Sequence, residues 1–422
     1  MFELENKQLF SWFAVYGDGQ DSTLVNSALL DLIELDCLVK NDEWGKLGSS
    51  SFVGQLLKCQ RRTVNETTPY AALWMGVHQS GPSKVIGLSP DFDSKPIDSL
   101  LKAWPEFIGN IDIAAKYGFN LPILVKILSI GHSLPLQINL STNSGSKSCK
   151  IILALTPSSL LCGFRPHNEI INNLKNFQDL RLLINSSTLT KYIQSVSGTQ
   201  VESSQSNVYL MQCFNEAISN CQAQKSIGKA LLESSEAIES TKINIILKSL
   251  SDKGLDTKSL VSLFFLNYVN LNCDQAVIIE ANQVHMLLDG NYLEVSNPND
   301  KVISSETTLE NISASICVTQ DSPKIVNPTS VDDCSYVYSP ESSDWTVELI
   351  NANQYNELSC PIYQASPTSS GSFILFLGPT EAIVNNVYRL KPGQIFFVPP
   401  GLPLRFTQLR GAFRLFRISL KS

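Results

Sequence analysis

Two stretches of this 422-residue chain share one spacing, and that spacing leaves few folds open. In one, Gly393 precedes the run QIFFV, the turn residues Pro399, Pro400 and Gly401, and then Leu402, Pro403 and Leu404. In the other, Asp274 precedes QAVII, the turn residues Glu280, Ala281 and Asn282, and then Gln283, Val284 and His285. A turn, a short β-rich run, a second turn and a return strand predict a β-hairpin. Two such hairpins argue for two β units of similar build. The return strand of each aims one side chain at the interior of its unit, where it either meets a ligand or packs. His285 suits the first task and Leu404 only the second.

The segments between and before these hairpins fill in the organisation. Short β-rich runs, among them IELDCLV, LPILVKILSI and KIILALT, occupy residues 33–165 around DSLLKAWPEFIGNI, which has helical spacing. From 166 to 261 the apolar residues take helical spacing, in EIINNLKNFQDLRLLI and NVYLMQCFNEAISNC, and strands return afterwards. With 43% apolar residues the chain is long enough to bury several cores. The balance of 32 Lys+Arg against 39 Asp+Glu disfavours a nucleic-acid partner. Glu3 and Glu5 stand at the start in place of a basic leader, and no stretch approaches 18 uninterrupted apolar residues. A cytoplasmic protein without membrane contact is therefore expected. The ten cysteines include no CxxC pair and read as buried, reduced thiols; the four histidines, His78, His132, His167 and His285, limit any imidazole chemistry.

The hairpins resemble the second sequence motif of cupins, in which a metal-binding His stands where His285 and Leu404 stand here. A wider resemblance runs in order through Glu43-WGKLGSSS, Pro69-YAALWMGVHQSGPSKV, Leu121-PILVKILSIGHSLPLQIN, Ala154-LTPSSLLCGFRP, Phe265-LNYVNLN and Ala281-NQVHMLLDGNYLEV. On these segments the chain is similar to the type I phosphomannose isomerases, zinc enzymes that interconvert mannose 6-phosphate and fructose 6-phosphate on the way to GDP-mannose. The resemblance implies a mainly β fold of two cupin (jelly-roll) barrels plus an α-helical domain. It divides the chain into an N-terminal extension, 1–32, a discontinuous catalytic-type cupin, 33–165 and 262–330, a helical insert, 166–261, and a second cupin, 331–422.

The same resemblance implies a zinc site and shows it degraded. Of the family's four ligand positions, Gln137 and His285 are retained, Asn139 replaces a His and Lys150 replaces a Glu. Residues 138–153 contain no His, Asp or Glu that a shifted alignment could recruit. An amide binds zinc poorly and an ammonium repels it, whereas a catalytic zinc takes three protein ligands, so zinc is expected to be weak or absent. Ser148 falls at the family's Lys, Ser304 at its catalytic Arg and Glu310 at its substrate-facing Lys. Pro135 and Ala72 replace a Ser and a Glu of the substrate pocket. Loss of one oxyanion-stabilising donor costs about 10²- to 10³-fold. Near a phosphate, exchanging Lys for Glu at ~6 Å costs roughly 5 kcal/mol at an effective dielectric of ~20.

The remaining motif residues read as structure. Trp74, Met75, Cys162, Phe164 and Tyr268 would pack the barrel and its junction with the helices. Arg165 would make an ion pair or bind backbone, His78 would cap a turn, and Asp300 and Lys301 would lie solvated at the rim. The expectation is a family scaffold that is inactive or severely impaired, with an unknown protein partner. The alternatives are an active zinc isomerase of hexose 6-phosphates with a rearranged site, and a metal-free sugar-binding cupin.

Overall fold

The computed structural model describes residues 32–118, 121–140, 149–197, 203–223, 227–237, 246–247, 256–297, 301–304, 316–318, 321–351, 362–378, 381–407 and 413–421. Most of the N-terminal extension, together with Ser148, Asp300 and Glu310, lies outside these residues, as do the side chains of Lys301 and Ser304.

Eleven strands form the larger sheet: β1 (Leu38–Lys40), β2 (Ala72–Gly76), β3 (Leu124–Ile130), β4 (Gln137–Leu140), β5 (Lys150–Ala154), β6 (Ser158–Phe164), β7 (Leu266–Leu271), β8 (Ala276–Ile279), β9 (Val284–Ser296), β10 (Lys301–Ser304) and β11 (Ile325–Val326). Their main path runs β11-β8-β5-β9-β3-β2-β1; β4 and β6 join β9, with β10 beyond β4 and β7 beyond β6.

Strand β9 is shared by two layers. Its first part pairs with β4 and β6, and Gly290 to Ser296 pair with β3, flanked on the other side by β5. Where it passes from one set to the other the register slips between Leu287 and Asp289, and Gly290 adopts φ +124°. A bulge beside a glycine bends a strand sharply. A side chain at Gly290 would collide with Ser158, so the bend depends on glycine there.

Alternation along the strands divides the apolar residues between two faces. Val125, Ile127, Ile151, Leu153, Leu293 and Val295 pack outward in one core with Trp345, Phe373 and Phe397 of the C-terminal region. Their neighbours Leu128, Ile152, Ala154 and Tyr292 line the inner face with Cys162, Leu287 and Trp74.

The C-terminal residues build a second β unit from a four-stranded sheet and six strands of an eight-stranded one, the other two being Ile33–Asp36 and Lys84–Val85; its separate core includes Ile374, Phe376, Leu404, Phe406 and Phe413. The strand Ile33–Asp36 is hydrogen-bonded into this unit, Ile33 opposite Phe397, although it precedes the larger sheet in the chain.

The two hairpins singled out by spacing are equivalent in conformation. Asp274 and Gly393 open them at φ +67° and +85°, and Asn282 and Gly401 turn them at φ +63° and +74°. Asparagine and aspartate are the non-glycine residues that tolerate this left-handed region best.

Helices dominate the described residues from His167 to Leu263, including Ser186–Ser197, Ser203–Ala223 and Ile227–Ala237. Their apolar stripes close over the outer side of β4, β6 and β9, where Ile138, Leu161, Val284 and Met286 join Phe177, Phe214 and Phe264 in one core. Asp256 caps Thr257–Leu263 by accepting from the Ser259 N–H. The architecture is mainly β with a helical block, as expected. Among the described residues no helix is long and apolar enough to cross a membrane.

Candidate functional site

Residues directly opposite in an antiparallel pair point to the same side of the sheet. Register therefore assembles an inner face from distant sequence. His285 lies opposite Gln137 on one side and Cys162 on the other. Glu294, further along β9, lies opposite Lys126 of β3 and Ile152 of β5, and Lys126 is in turn opposite Trp74 of β2. Lys150, two residues from Ile152, shares that face at the start of β5, opposite Ile279.

His285 is fully buried. Its Nδ1 sits 3.0 Å from the Gln283 carbonyl, which assigns the Nδ1–H tautomer, and its buried Nε2 has no hydrogen-bond partner among the described residues. Burial, then the nearby Lys150 ammonium, lower its pKa to about 3, so the ring is neutral. Gln137 is half-buried and Asn139 is buried, its carbonyl accepting from the Asn282 N–H at 2.7 Å.

The charged centre of the face is Glu294. Lys126 donates to its Oε1 at 2.8 Å, and Lys150 Nζ lies 3.8 Å from Oε2. The side chains of Lys150 and Glu294 are 1% and 5% exposed, so solvent screens this pair little. Burial by itself would raise the carboxyl, but Lys126 and Lys150 outweigh it and hold the pKa down at about 2. Lys126 also lies over the Trp74 ring at 4.9 Å, with Lys40 at 5.1 Å from the same ring and the His78 ring at its edge.

Neither Lys126 nor Glu294 stands out in the sequence reading, which treats LPILVKILSI and HMLLDGNYLEV as β-rich runs. The signal that could have found them is a charge flanked by apolar residues on a strand, Lys126 between Val125 and Ile127 and Glu294 between Leu293 and Val295. An uncompensated charge is too costly to bury there, so each implies a partner on a neighbouring strand.

Of the other candidate positions, Ser304 stays beside the retained pair, opposite Gln137 in register, while the rest disperse: Ala72 is buried opposite Leu128 and Pro135 is exposed. Glu310 lies outside the described residues. Arg165 is buried, donating to the Leu263 carbonyl at 3.0 Å and to Glu169 at 3.1 Å, and His78 accepts from the Ser80 N–H in a turn. His167 meets the Tyr192 hydroxyl at 2.9 Å, while His132 is exposed. Met75, Cys162 and Phe164 are core residues.

The described residues do not suit a zinc ion. They include no group of three His, Cys, Asp or Glu side chains placed to hold a metal. His285 offers a lone pair, but the Glu294 carboxylate is engaged by two ammonium groups, and Lys150 adds a positive charge to the face a dication would enter.

The family model described as "Phosphomannose isomerase type I, catalytic domain" matches residues 32–167. Mannose-6-phosphate isomerase 2 of Arabidopsis thaliana is 25% identical, covering 97% of this chain and 98% of its own length. The mannose-6-phosphate isomerase of Rattus norvegicus is 27% identical over 86% of this chain and 92% of its own. Among solved structures, the Salmonella typhimurium mannose 6-phosphate isomerase, bound to its substrate and zinc, superposes with a TM-score of 0.69. It is 19% identical and covers 93% of this chain and 100% of its own, a likeness that establishes the fold.

Proposed function

Because the chain is a divergent member of the type I phosphomannose isomerase family, we propose that it keeps the isomerase scaffold with a degraded zinc and phosphate site and is inactive or severely impaired as a mannose-6-phosphate isomerase. The observation that carries this reading is the buried Lys150 ammonium on the face that holds His285 and Gln137. Aldose–ketose isomerisation moves a proton between adjacent carbons and needs a base together with a positive group at the developing oxyanion. Glu294 is a poor base, since a carboxyl held near pKa 2 has little affinity for a proton at neutral pH. With the resemblance placing Ser304 and Glu310 at the family's Arg and Lys, the two positive groups the family uses for oxyanion and phosphate are replaced as well, and Lys126 and Lys150 are engaged by Glu294.

One observation favours the rival, an active hexose 6-phosphate isomerase with a rearranged site in mannose and GDP-mannose metabolism. The His285 Nε2 lone pair is buried and unpartnered among the described residues, as a ligand's would be before metal binds. Turnover of mannose 6-phosphate, assayed on protein from a host lacking its own isomerase, separates the two. The proposal expects a rate at least ~10²-fold below that of an ordinary family member. A rate within tenfold of such an enzyme, abolished in His285→Ala, would establish the rival.

A further inference from the structure

We infer that Lys150 is an internal cation that takes the electrostatic place of the family's metal, so that the inner face of the larger sheet is completed without any ion. The inference rests on the reading of a divergent isomerase scaffold given above, and adds what replaced the metal. Three observations carry it. Lys150 is the one of the four ligand-position residues whose replacement reverses the charge, and its side chain is 1% exposed. Its ammonium lies 3.8 Å from Glu294 Oε2, while Lys126 holds Oε1 at 2.8 Å, so both carboxylate oxygens face a cation. The face also carries His285, whose Nδ1–H is anchored on the Gln283 carbonyl without help from a metal.

The charge count explains why the two solutions exclude each other. Among these three side chains, Glu294 contributes one negative charge and Lys126 and Lys150 two positive ones, an excess of one positive charge. A divalent ion entering the same face would meet that excess at low dielectric, and the attraction that normally draws a dication to a carboxylate is already satisfied. A tethered ammonium also escapes the dependence on free metal concentration that governs a bound ion. Folding of this chain is then independent of metal, and chelators leave it intact.

The test compares wild type, Lys150→Met, Lys150→Arg and Asn139→His/Lys150→Glu, measuring zinc per chain by elemental analysis after dialysis against zinc, and the thermal midpoint with and without EDTA. Wild type is expected to hold no stoichiometric zinc and to melt at the same temperature with EDTA. Lys150→Met is expected to melt several degrees lower, and Lys150→Arg, which keeps the charge, close to wild type. The double variant is expected to bind about one zinc per chain and to melt higher with zinc than with EDTA.

One zinc per wild-type chain overturns the inference, as does a Lys150→Met protein at least as stable as wild type, or a folded double variant that ignores zinc. If the double variant does not fold, the wild-type zinc content and the Met and Arg variants decide. Failure of the functional reading looks different: turnover of mannose 6-phosphate by zinc-free wild type overturns that reading and leaves the internal cation standing, whereas zinc without turnover does the reverse.

Discussion

Lys150 and Glu294, 144 positions apart in the chain, meet at 3.8 Å with side chains 1% and 5% exposed, and Lys126 binds the other oxygen of the same carboxylate at 2.8 Å. The carboxylate is the member both cations depend on: removing Glu294 strands two ammonium groups, whereas removing either lysine leaves a one-to-one pair and gives up only its own attraction to the carboxylate.

Glu294→Gln leaves two ammonium groups on the inner face without their counter-charge, one of them fully buried, and is expected to cost about 3–5 kcal/mol in urea denaturation. Its pH dependence follows from the depressed folded pKa of about 2. The unfolded chain takes up the proton near pH ~4.3, so the contribution is fully present above that pH and is lost as pH falls toward 2. The stability gap between wild type and Glu294→Gln should therefore narrow between roughly pH 4.5 and 2. A gap unchanged across that range would count against the ionised triad.

Gly290→Ala tests the bend that lets β9 serve two layers. At φ +124° an alanine is strained, and its Cβ would collide with Ser158. The substitution is expected to destabilise by about 2–4 kcal/mol, read as a lower thermal midpoint. Ser158→Gly in the same chain removes the two closest clashing atoms but leaves its Cα at 2.9 Å and the backbone strain, so it should recover only part of the loss.

Leu404→His asks whether the second hairpin can carry the side chain its twin carries. Leu404 is fully buried in a core with Phe376, Phe406 and Phe413. An imidazole there loses apolar contact and gains a buried polar group, so the expected cost is about 2–4 kcal/mol with no zinc uptake. Zinc bound to this variant would mean that the second unit hides ligands of its own.

Thiol reactivity should follow burial. Among the described cysteines, Cys59, Cys273 and Cys317 are exposed, while Cys37 and Cys162 are buried with thiols pushed up to about 12, mainly by burial. Brief alkylation of the native protein, mapped by mass spectrometry, should label Cys59 and Cys317 and spare Cys37 and Cys162. Cys273, whose thiol is also raised by burial, should react more slowly than its exposure suggests. Labelling of Cys162 ahead of Cys59 would contradict the buried inner face.

Local order was readable from the chain because it is local. The paired left-handed turns at Asp274 and Gly393, and at Asn282 and Gly401, follow from residue types that tolerate positive φ at one fixed spacing. The helical block follows from apolar residues at helical period. Those features depend on neighbours in sequence or on a motif whose fold is shared.

Tertiary structure alone decided the rest. That Ile33–Asp36 pairs with Ile395–Val398, and that Lys126, Lys150 and Glu294 compensate one another, depends on which strands lie adjacent. Sequence determines that a charge inside an apolar strand must find a partner, since burying it alone is prohibitive; it does not determine which partner. The choice between a metal and an ammonium as the cation of the inner face rests on distances of a few ångströms across a folded sheet, and Coulomb energy at low dielectric is set by those distances.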